Sequence, residues 1–332
     1  MGTGTLAVKA LVTGGGGFLG RAIVMRLLDR GYSVTVLGRC AQPELAALGV
    51  RVELGDVAQE NDVQRAVQGT QAVFHTAARV GSWGRAQEFE NININGTQNV
   101  INACRAHAVD RLIYTSSPSV AHSEGDAEGI DESHPYPTSF DAHYPRTKAE
   151  AEKMVLAANC QSLATVALRP HLMWGPGDTQ LLPRAVALAA AGKLKLPGGP
   201  PKKVDCTFID NAVDAHVLAL DALSPQAACA GRAYFISQGD PMPQTELIIR
   251  VLAAVGVRGP YRTVPPAIIR MVGAAAESWY TLRGIYDHEP PLTRFVARQL
   301  TSAHWFNISA ARRDLGYVPR VSFAEGLLQL KP

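Results

Sequence analysis

Three residue types in the middle of this sequence could together move a proton to a carbonyl oxygen. Tyr144 and Lys148 are spaced so that both lie on one face of a helix. A phenol can give up a proton, and a lysine ammonium beside it is expected to lower its pKa from about 10 toward neutral pH. A serine pair, Ser116 and Ser117, could donate a hydrogen bond to the same oxygen as charge develops there. The pattern Tyr-x-x-x-Lys is common on ordinary helices, so the trio becomes informative only beside a site for a hydride donor.

A glycine-rich turn near the start of the chain predicts such a site. Gly14, Gly17 and Gly20 are spaced three apart, between the apolar run Ala10–Val12 and a helical pattern over Arg21–Arg30. A strand, a tight glycine turn and a helix N-terminus together bind a pyrophosphate through backbone N–H groups and the helix dipole. We therefore predict that a dinucleotide contacts this turn, including the two residues inside it, Phe18 and Leu19.

The end of the second predicted strand indicates which dinucleotide binds. Ser33–Leu37 reads as a buried strand, and Arg39 follows it with no acidic residue adjacent. An acid at this point would hold a free ribose 2′-hydroxyl, whereas an arginine suits a 2′-phosphate. The sequence therefore favours NADP(H) over NAD(H). The alternative is that Arg39 is only a solvated loop residue.

Two further positions are predicted to contact the cofactor. Asp56, after the third strand, could accept a hydrogen bond from the adenine amine or could cap the helix predicted over Glu60–Gln68. The fourth strand, Ala72–His75, runs into small residues, and we expect Ala77 to leave space where the cofactor crosses the strand ends. His75 itself is interpreted as a packed histidine, because no second metal-ligand type lies near it.

The elements that must position these groups can be followed along the chain. Ala86–Ala106 reads as a long helical stretch, in which Asn93 is predicted to brace the backbone of the site. Arg111–Thr115 is a fifth strand that delivers the serines at its carboxyl end. Glu124–His143 is polar and proline-bearing, and we interpret it as a surface loop that could fold over a substrate. The helix carrying the tyrosine and lysine is predicted from Tyr144 to about Ala158.

The alternation of strands and helices predicts an α/β fold, a Rossmann-type doubly wound parallel sheet with a smaller, mostly helical C-terminal lobe. Residues 1–172 are predicted to form the NADP-binding domain, completed by about 205–237. Residues 173–204 and 238–332 are predicted to form a substrate-binding lobe, because the strand–helix rhythm breaks in these segments.

Composition excludes several function classes. A net charge of +3 is too small to indicate nucleic acid as a partner. The five cysteines are scattered, without a C-x-x-C pair, which argues against a metal site and against a disulfide framework. We expect a cytoplasmic protein acting on a small molecule, with no signal peptide and no transmembrane segment.

The motifs TGGGGFLG, LGR, GDV, HTAA, NINGT, YTSSPSV, YPRTK and LRPHLMWGPGD occur here in the order typical of extended short-chain dehydrogenase/reductases. The C-terminal segments PPLTRFVARQL and HWFNISAARRDLGYVPRVSFAEGL resemble the 3β-hydroxysteroid dehydrogenase-like branch of that superfamily. This resemblance implies Ser117, Tyr144 and Lys148 as the catalytic set, with Ser116 as the alternative serine. It also implies Gly14, Gly17, Gly20 and Arg39 as cofactor-binding residues.

A narrower resemblance is to the ketoreductases of bacterial head-to-head olefin synthesis, carried by NACRAHAVDRLIYTSSPSV, LMWGPGD and CAGRAYFIS. It implies NADPH-dependent reduction of the 3-keto group of a long-chain 2-alkyl-3-oxoalkanoic acid. A homodimer, and other enzymes of the olefin pathway as partners, are implied in the same way.

Three alternatives stay open at this point. A steroid dehydrogenase also needs an apolar pocket, and Ala267–Ala276 and Leu292–Leu300 would suit either lipid tails or the core of the small lobe. A nucleotide-sugar epimerase needs a basic clamp, for which the candidates are Lys202, Lys203, Arg258 and Arg262. A sugar dehydratase is disfavoured, because Pro118 and Ser119 stand where its acidic pair would be. A non-catalytic NADP sensor usually lacks the tyrosine–lysine pair that is present here.

Overall fold

The computed structural model describes residues 8–179 and 181–330. Several of its strands fall at short apolar runs of the sequence, where side chains are buried. In chain order they are β1 Lys9–Thr13, β2 Ser33–Gly38, β3 Arg51–Leu54, β4 Ala72–His75, β5 Arg111–Thr115, β6 Ala127–Ile130, β7 Ala164–Pro170, β8 Met173–Trp174, β9 Lys195–Pro197, β10 Lys203–Val204, β11 Thr207–Phe208, β12 Arg232–Ile236, β13 Met242–Pro243, β14 Arg262–Val264 and β15 His304–Phe306.

The helices alternate with strands in the first half of the chain and dominate the second half. They are α1 Phe18–Asp29, α2 Pro43–Ala47, α3 Glu60–Val67, α4 Ala86–Phe89, α5 Gly96–Ala106, α6 His143–Ala157, α7 Leu181–Ala190, α8 Ile209–Ala222, α9 Gln244–Ala254, α10 Pro266–Leu282, α11 Arg294–Thr301, α12 Ser309–Leu315 and α13 Phe323–Gln329. Within these described residues, none of the helices combines the length and the apolarity needed to cross a bilayer.

Seven of the strands form one parallel sheet in the order β12-β7-β5-β4-β1-β2-β3. Alternate residues of each strand point to opposite faces, so that Ala10 and Val12 pack with α1 and α8, while Leu11 packs with α3, α5 and α6. The strand order reverses beside β1, whose neighbours are β2 and β4. In such sheets this reversal opens a crevice at the carboxyl ends of the strands, where ligands bind. The prediction of a doubly wound parallel sheet is confirmed.

A second sheet differs from the sequence-based expectation. Residues 124–143 were expected to be a surface loop, but Ala127–Ile130 forms strand β6 and pairs in parallel with β15 near the C-terminus. The order of this sheet is β13-β10-β15-β6. The loop prediction was wrong for these four residues because their partner strand, β15, lies far away in the sequence, and no local pattern indicates the pairing.

Helix α10 fits neither of the two expectations for Ala267–Ala276 completely. These were a segment that contacts lipid tails and a segment in the core of the small lobe. Ile269 and Gly273 are buried, and a Cβ on Gly273 would lie 2.9 Å from the Cβ of Ala297 on α11. Met271 and Val272, however, are exposed. This helix therefore contributes one narrow face to the core of the small lobe and leaves apolar side chains on its outer face.

Candidate active site

Lys148 is fixed against the carboxyl end of β5 by helix α6. Its Nζ atom donates a hydrogen bond to the Thr115 carbonyl oxygen at 2.6 Å and lies 4.1 Å from the centre of the Tyr114 ring. The residue is only 2% exposed. Burial penalises the ammonium form and lowers the pKa of Lys148 to about 7, although the nearby Glu152 carboxylate opposes this shift. The lysine is therefore poised to gain or lose its charge near neutral pH.

Tyr144 lies one turn earlier on α6, next to the N-terminal end of that helix. Burial raises the pKa of Tyr144, and a hydrogen bond with the Ser117 side chain opposes the increase. The sequence-based expectation was a pKa lowered by Lys148. It was wrong for this structure, because the lysine ammonium bonds to the Thr115 carbonyl instead and burial dominates. A raised pKa keeps the phenol protonated at neutral pH, which is the form that can donate a proton.

The two adjacent serines after β5 have different surroundings. The hydroxyl of Ser117 reaches Tyr144 and also lies 2.9 Å from the Ser119 Oγ atom. The backbone N–H of Ser116 donates to the Leu168 carbonyl at 2.6 Å, and its buried hydroxyl has no hydrogen-bond partner among the described residues. The structure thus brings Ser117, and not Ser116, together with Tyr144.

Asn93 links the loop that follows β4 to helix α6 by hydrogen bonds. Its Oδ1 atom accepts a hydrogen bond from the Arg79 backbone N–H at 2.7 Å, and its Nδ2 atom donates to the Thr147 hydroxyl at 2.9 Å. The residue is 1% exposed and lies in a π-helical stretch, Glu90–Asn95, between α4 and α5. The widened turn presents the amide to the loop that follows β4. Asn93 therefore holds that loop against the turn of α6 that carries Lys148, as the sequence predicted.

A buried ion pair beneath Lys148 was missed in the sequence. Glu152, one turn further along α6, accepts hydrogen bonds from the Arg169 guanidinium at 3.0 and 2.6 Å and from the Tyr136 hydroxyl at 2.6 Å. Both members of the pair are almost completely buried, with side chains 0% and 3% exposed. The four-residue spacing of Tyr144, Lys148 and Glu152, which places them on one helix face, was the available signal in the sequence. Its partner on β7 could not be inferred from spacing.

The glycine turn has the close packing that a dinucleotide site requires. Gly14 has a φ of 72°, a conformation that favours glycine, and a Cβ there would lie 3.0 Å from the Ala77 backbone. A Cβ on Gly20 would lie only 2.3 Å from the Gly14 carbonyl oxygen. Helix α1 begins at Phe18 directly after Gly17, with no acidic residue in its first turn. The free N–H groups of this helix end, together with the absence of side chains, fit a bound pyrophosphate.

The remaining predicted cofactor contacts lie around the same crevice. Arg39 is exposed directly after β2. Asp56 does not cap α3, because its Oδ1 atom accepts the Ala58 backbone N–H at 3.0 Å while Gln59 precedes the helix. The capping alternative for Asp56 was therefore wrong, since the carboxylate is used in its own turn. The cofactor alternative stays a prediction.

His75 is a packed histidine, as predicted. It is fully buried, and its two ring nitrogens lie 2.8 Å from the Thr13 hydroxyl and 3.0 Å from the Thr97 hydroxyl. Burial lowers the pKa of His75 to about 3, so the ring is neutral. In the described part of the chain, no group of three or more His, Cys, Asp or Glu side chains is placed to hold a metal ion.

A polar cluster beyond the carboxyl ends of β5 and β7 was also missed. We call it the histidine–arginine cluster; it comprises His122, His171, His304 and Arg298. The ring nitrogens of His304 and His171 lie 3.0 Å apart, and Arg298 Nη1 lies 3.4 Å from the His122 carbonyl oxygen. Its members come from three widely separated parts of the chain, around residues 122, 171 and 298–304, so only the fold brings them together.

The parallel sheet, the glycine turn and the helix that carries Tyr144 and Lys148 together define an extended short-chain dehydrogenase/reductase. Residues 11–266 match the model of the 3-beta hydroxysteroid dehydrogenase/isomerase family, and the chain therefore belongs to that family. It is accordingly an NAD(P)-dependent oxidoreductase.

Individual relatives agree with this assignment. The chain is 50% identical over 327 residues to the 2-alkyl-3-oxoalkanoate reductase of Stenotrophomonas maltophilia strain K279a, covering 98% of each chain. It is 34% identical over 334 residues to the 3-beta-hydroxysteroid dehydrogenase of Mycolicibacterium neoaurum, covering 98% of this chain and 90% of that one. The solved structure of the Thermus thermophilus UDP-glucose 4-epimerase in complex with NAD shares the fold, with a TM-score of 0.73, 24% identity and 97% coverage of each chain.

Proposed function

We propose that this protein uses NADPH to reduce the 3-keto group of a long-chain 2-alkyl-3-oxoalkanoic acid to the 3-hydroxy acid. The observation that carries the chemistry is the contact between Tyr144 and Ser117 beside the buried Lys148. The observation that supports this choice of substrate is the 50% identity, over almost all of both chains, to a 2-alkyl-3-oxoalkanoate reductase.

The cofactor would lie across the carboxyl ends of the strands. Its pyrophosphate would contact the turn formed by Gly14, Gly17 and Gly20 with the amides of Phe18 and Leu19, and its course would pass Ala77 and Asp56. Arg39 would pair with the 2′-phosphate and so select NADP(H), although the epimerase of the same fold was solved with NAD. When bound, the nicotinamide supplies the hydride that reaches the keto carbon.

The chain's own residues supply the proton and hold the charge. The Tyr144 Oη atom donates its proton to the keto oxygen, while the Ser117 hydroxyl donates a hydrogen bond to that oxygen and orients it. Lys148, held by the Thr115 carbonyl one helical turn from Tyr144, would supply positive charge near the tyrosinate that remains if it were protonated at that stage. Asn93 fixes the neighbouring loop, so that these groups keep their positions through the reaction.

A 3β-hydroxysteroid dehydrogenase is the second candidate. It is favoured by the family match and by the relative from Mycolicibacterium neoaurum. The lower identity of that relative, 34% against 50%, ranks it after the keto-acid reductase. A nucleotide-sugar epimerase ranks lower still, because the epimerase comparison supports the fold alone.

One experiment separates these candidates. The purified protein is incubated with NADPH and, side by side, with a long 2-alkyl-3-keto acid, a 3-ketosteroid and a UDP-sugar, and the nicotinamide absorbance is followed. We expect turnover with the keto acid at a kcat/KM at least about tenfold above that of the steroid, which is a modest discrimination for an apolar pocket. Turnover of the steroid alone would overturn the proposal.

The proposal also covers the oligomeric state of the protein, its compartment and its partners. We propose a homodimer that works in the cytoplasm alongside other enzymes of olefin synthesis, by analogy with the resemblance described above. The five free cysteines suit a reducing compartment.

A further inference from the structure

Arg298 on helix α11 is buried with part of its hydrogen-bonding capacity unused. The residue is 9% exposed, and its Nε atom donates to the Asp141 carboxylate at 2.6 Å. Within the described residues, the Nη1 atom has one long hydrogen-bond contact, 3.4 Å, to the His122 carbonyl oxygen. The Nη2 atom is shielded from water and has no partner among the described residues. Burying a guanidinium N–H without an acceptor costs free energy, so an anionic oxygen bound at this edge of the side chain would be stabilising.

Arg298 contacts two chain segments that lead to the candidate site. Asp141 lies three residues before Tyr144 and just before α6, which begins at His143, and His122 lies five residues after Ser117. Arg298 therefore spans the gap between the two chain segments that carry the proposed proton donor and the oxygen-orienting hydroxyl. The buried His122 Nε2 atom, also without a partner in the described residues, lies in the same histidine–arginine cluster.

We propose that the Nη1–Nη2 edge of Arg298 binds the carboxylate of the substrate. This inference rests on the proposed function, which names a 3-oxo acid as the substrate. In such an acid the carboxylate is separated from the keto carbon by a single carbon. A cation that holds it must therefore lie directly beside the groups that contact the keto oxygen. A guanidinium edge matches both carboxylate oxygens at once, which would fix the keto group relative to Tyr144 and Ser117.

Two other arginines near the site, Arg169 and Arg79, already form ion pairs with carboxylates. Arg169 also has an Nη1 atom without a partner in the described region, but its other donors hold the buried Glu152 carboxylate. The Tyr136 and Phe235 rings also lie beside its guanidinium, at 5.6 and 4.9 Å. Arg79 pairs with Glu88 and is substantially exposed. Of these three arginines, Arg298 combines burial, an unused edge and contacts to both catalytic segments.

The first test measures binding without turnover. A long-chain 2-alkyl-3-hydroxy acid and its methyl ester are titrated by calorimetry into the protein saturated with NADPH, a combination in which no hydride can be transferred. We expect the acid to bind on the order of 10- to 100-fold more tightly than the ester, as a charge-assisted hydrogen-bonded pair would give. In Arg298→Met the two ligands should bind equally within about threefold, because only the acid loses a partner. Equal binding of acid and ester by the unaltered protein would overturn the inference.

The second test separates recognition from a structural role of the ion pair. Asp141→Asn removes the ion pair but leaves the Nη1–Nη2 edge in place, so it should keep the preference for the acid. If the ion pair with Asp141 were the only role of Arg298, then Asp141→Asn and Arg298→Met would behave alike, and that result would also overturn the inference. Arg294→Met serves as the matched control, because Arg294 lies one turn earlier on α11 and pairs with Glu277 instead.

Kinetics distinguish failure of this inference from failure of the proposed function. With the 3-keto acid and its methyl ester as substrates, Arg298→Met should raise KM for the acid about tenfold or more and leave kcat/KM for the ester within about threefold. If neither is reduced by the unaltered protein although the acid binds selectively, the proposed function fails and the carboxylate site stands. If both are reduced with equal efficiency, the proposed function stands and the carboxylate site is refuted.

Discussion

Burial acts in opposite directions on the two titratable groups that α6 carries into the site. It raises the pKa of Tyr144 and lowers that of Lys148 to about 7, because each shift favours the neutral form. The phenol therefore keeps its proton at neutral pH, and the lysine can gain or lose its charge there. Both properties come from the position of two side chains at the end of one strand.

Replacing the phenol tests its role directly. We expect Tyr144→Phe to lower kcat by about 100-fold or more, because the proton donor is removed while the ring and its packing remain. The affinity for NADPH, measured by fluorescence titration, should be unchanged within about twofold. Turnover near that of the unaltered protein would show that another group donates the proton.

The lowered pKa of Lys148 predicts a pH-dependent cost to stability. Below about pH 7 the folded protein must bury an ammonium group, and the full cost is present. As pH rises from about 7 toward the ordinary lysine value of 10.5, the unfolded chain binds more protons than the folded one, so stability increases. Lys148→Met should thus be more stable than the unaltered protein by on the order of a few kcal/mol near pH 6, and this gap should narrow near pH 9.

Urea unfolding at the two pH values measures this gap. Lys153→Met is the matched control, because Lys153 lies exposed on the same helix. Its difference from the unaltered protein should be the same at both pH values. A gap for Lys148→Met that stays constant with pH would contradict the prediction.

At the scale of single elements, the end of β2 is expected to set cofactor choice. We predict that Arg39→Asp weakens NADPH binding on the order of 10- to 100-fold, because a charge-assisted contact is replaced by repulsion of the 2′-phosphate. NADH, which lacks that phosphate, should bind with similar or better affinity. Fluorescence titration with both cofactors measures the ratio, and Arg105→Asp, at an exposed site near the end of α5, provides the control. An unchanged NADPH/NADH preference would mean that Arg39 does not contact the cofactor.

The elements also show what a sequence can predict. Strands β4 and β5 were predicted to the residue, because each is a short, mostly apolar run bounded by polar residues. The glycine turn and the tyrosine–lysine pair were visible because their members are close in sequence. Strand β6, the Glu152–Arg169 pair and the histidine–arginine cluster were not, because each joins segments whose proximity only the complete fold determines.

At the scale of the whole molecule, the loop after β4 is fastened to the C-terminal lobe. Trp83 donates a hydrogen bond from Nε1 to the Ile285 carbonyl at 2.9 Å, and its ring stacks on Tyr286 with centroids 5.6 Å apart. Glu289 accepts hydrogen bonds from the Ser82 hydroxyl and from Arg184 on α7. Asn93 holds the start of the same loop, so the loop connects the site to both halves of the molecule.

Removing the tryptophan should loosen this connection. We expect Trp83→Ala to lower the free energy of unfolding by about 2–3 kcal/mol, through lost packing and one lost hydrogen bond, and to raise KM for the substrate. Trp279→Ala is the control, because Trp279 is 52% exposed on α10; its effect should be within about 0.5 kcal/mol. Urea unfolding and steady-state kinetics measure the two variants, and equal effects would show that the loop is not fastened through Trp83.

The pairing of β6 with β15 has a consequence for how the protein is made. A chain leaves the ribosome from its N-terminus, so residues 127–130 emerge long before His304–Phe306, their strand partner. The segment leading to Asp141 and Tyr144 therefore lacks its neighbouring strand until residues 304–306 have been synthesised. The strands of the central sheet up to β5 can therefore begin to pair during translation, whereas the sheet beside the candidate site is completed only after residue 306 has emerged.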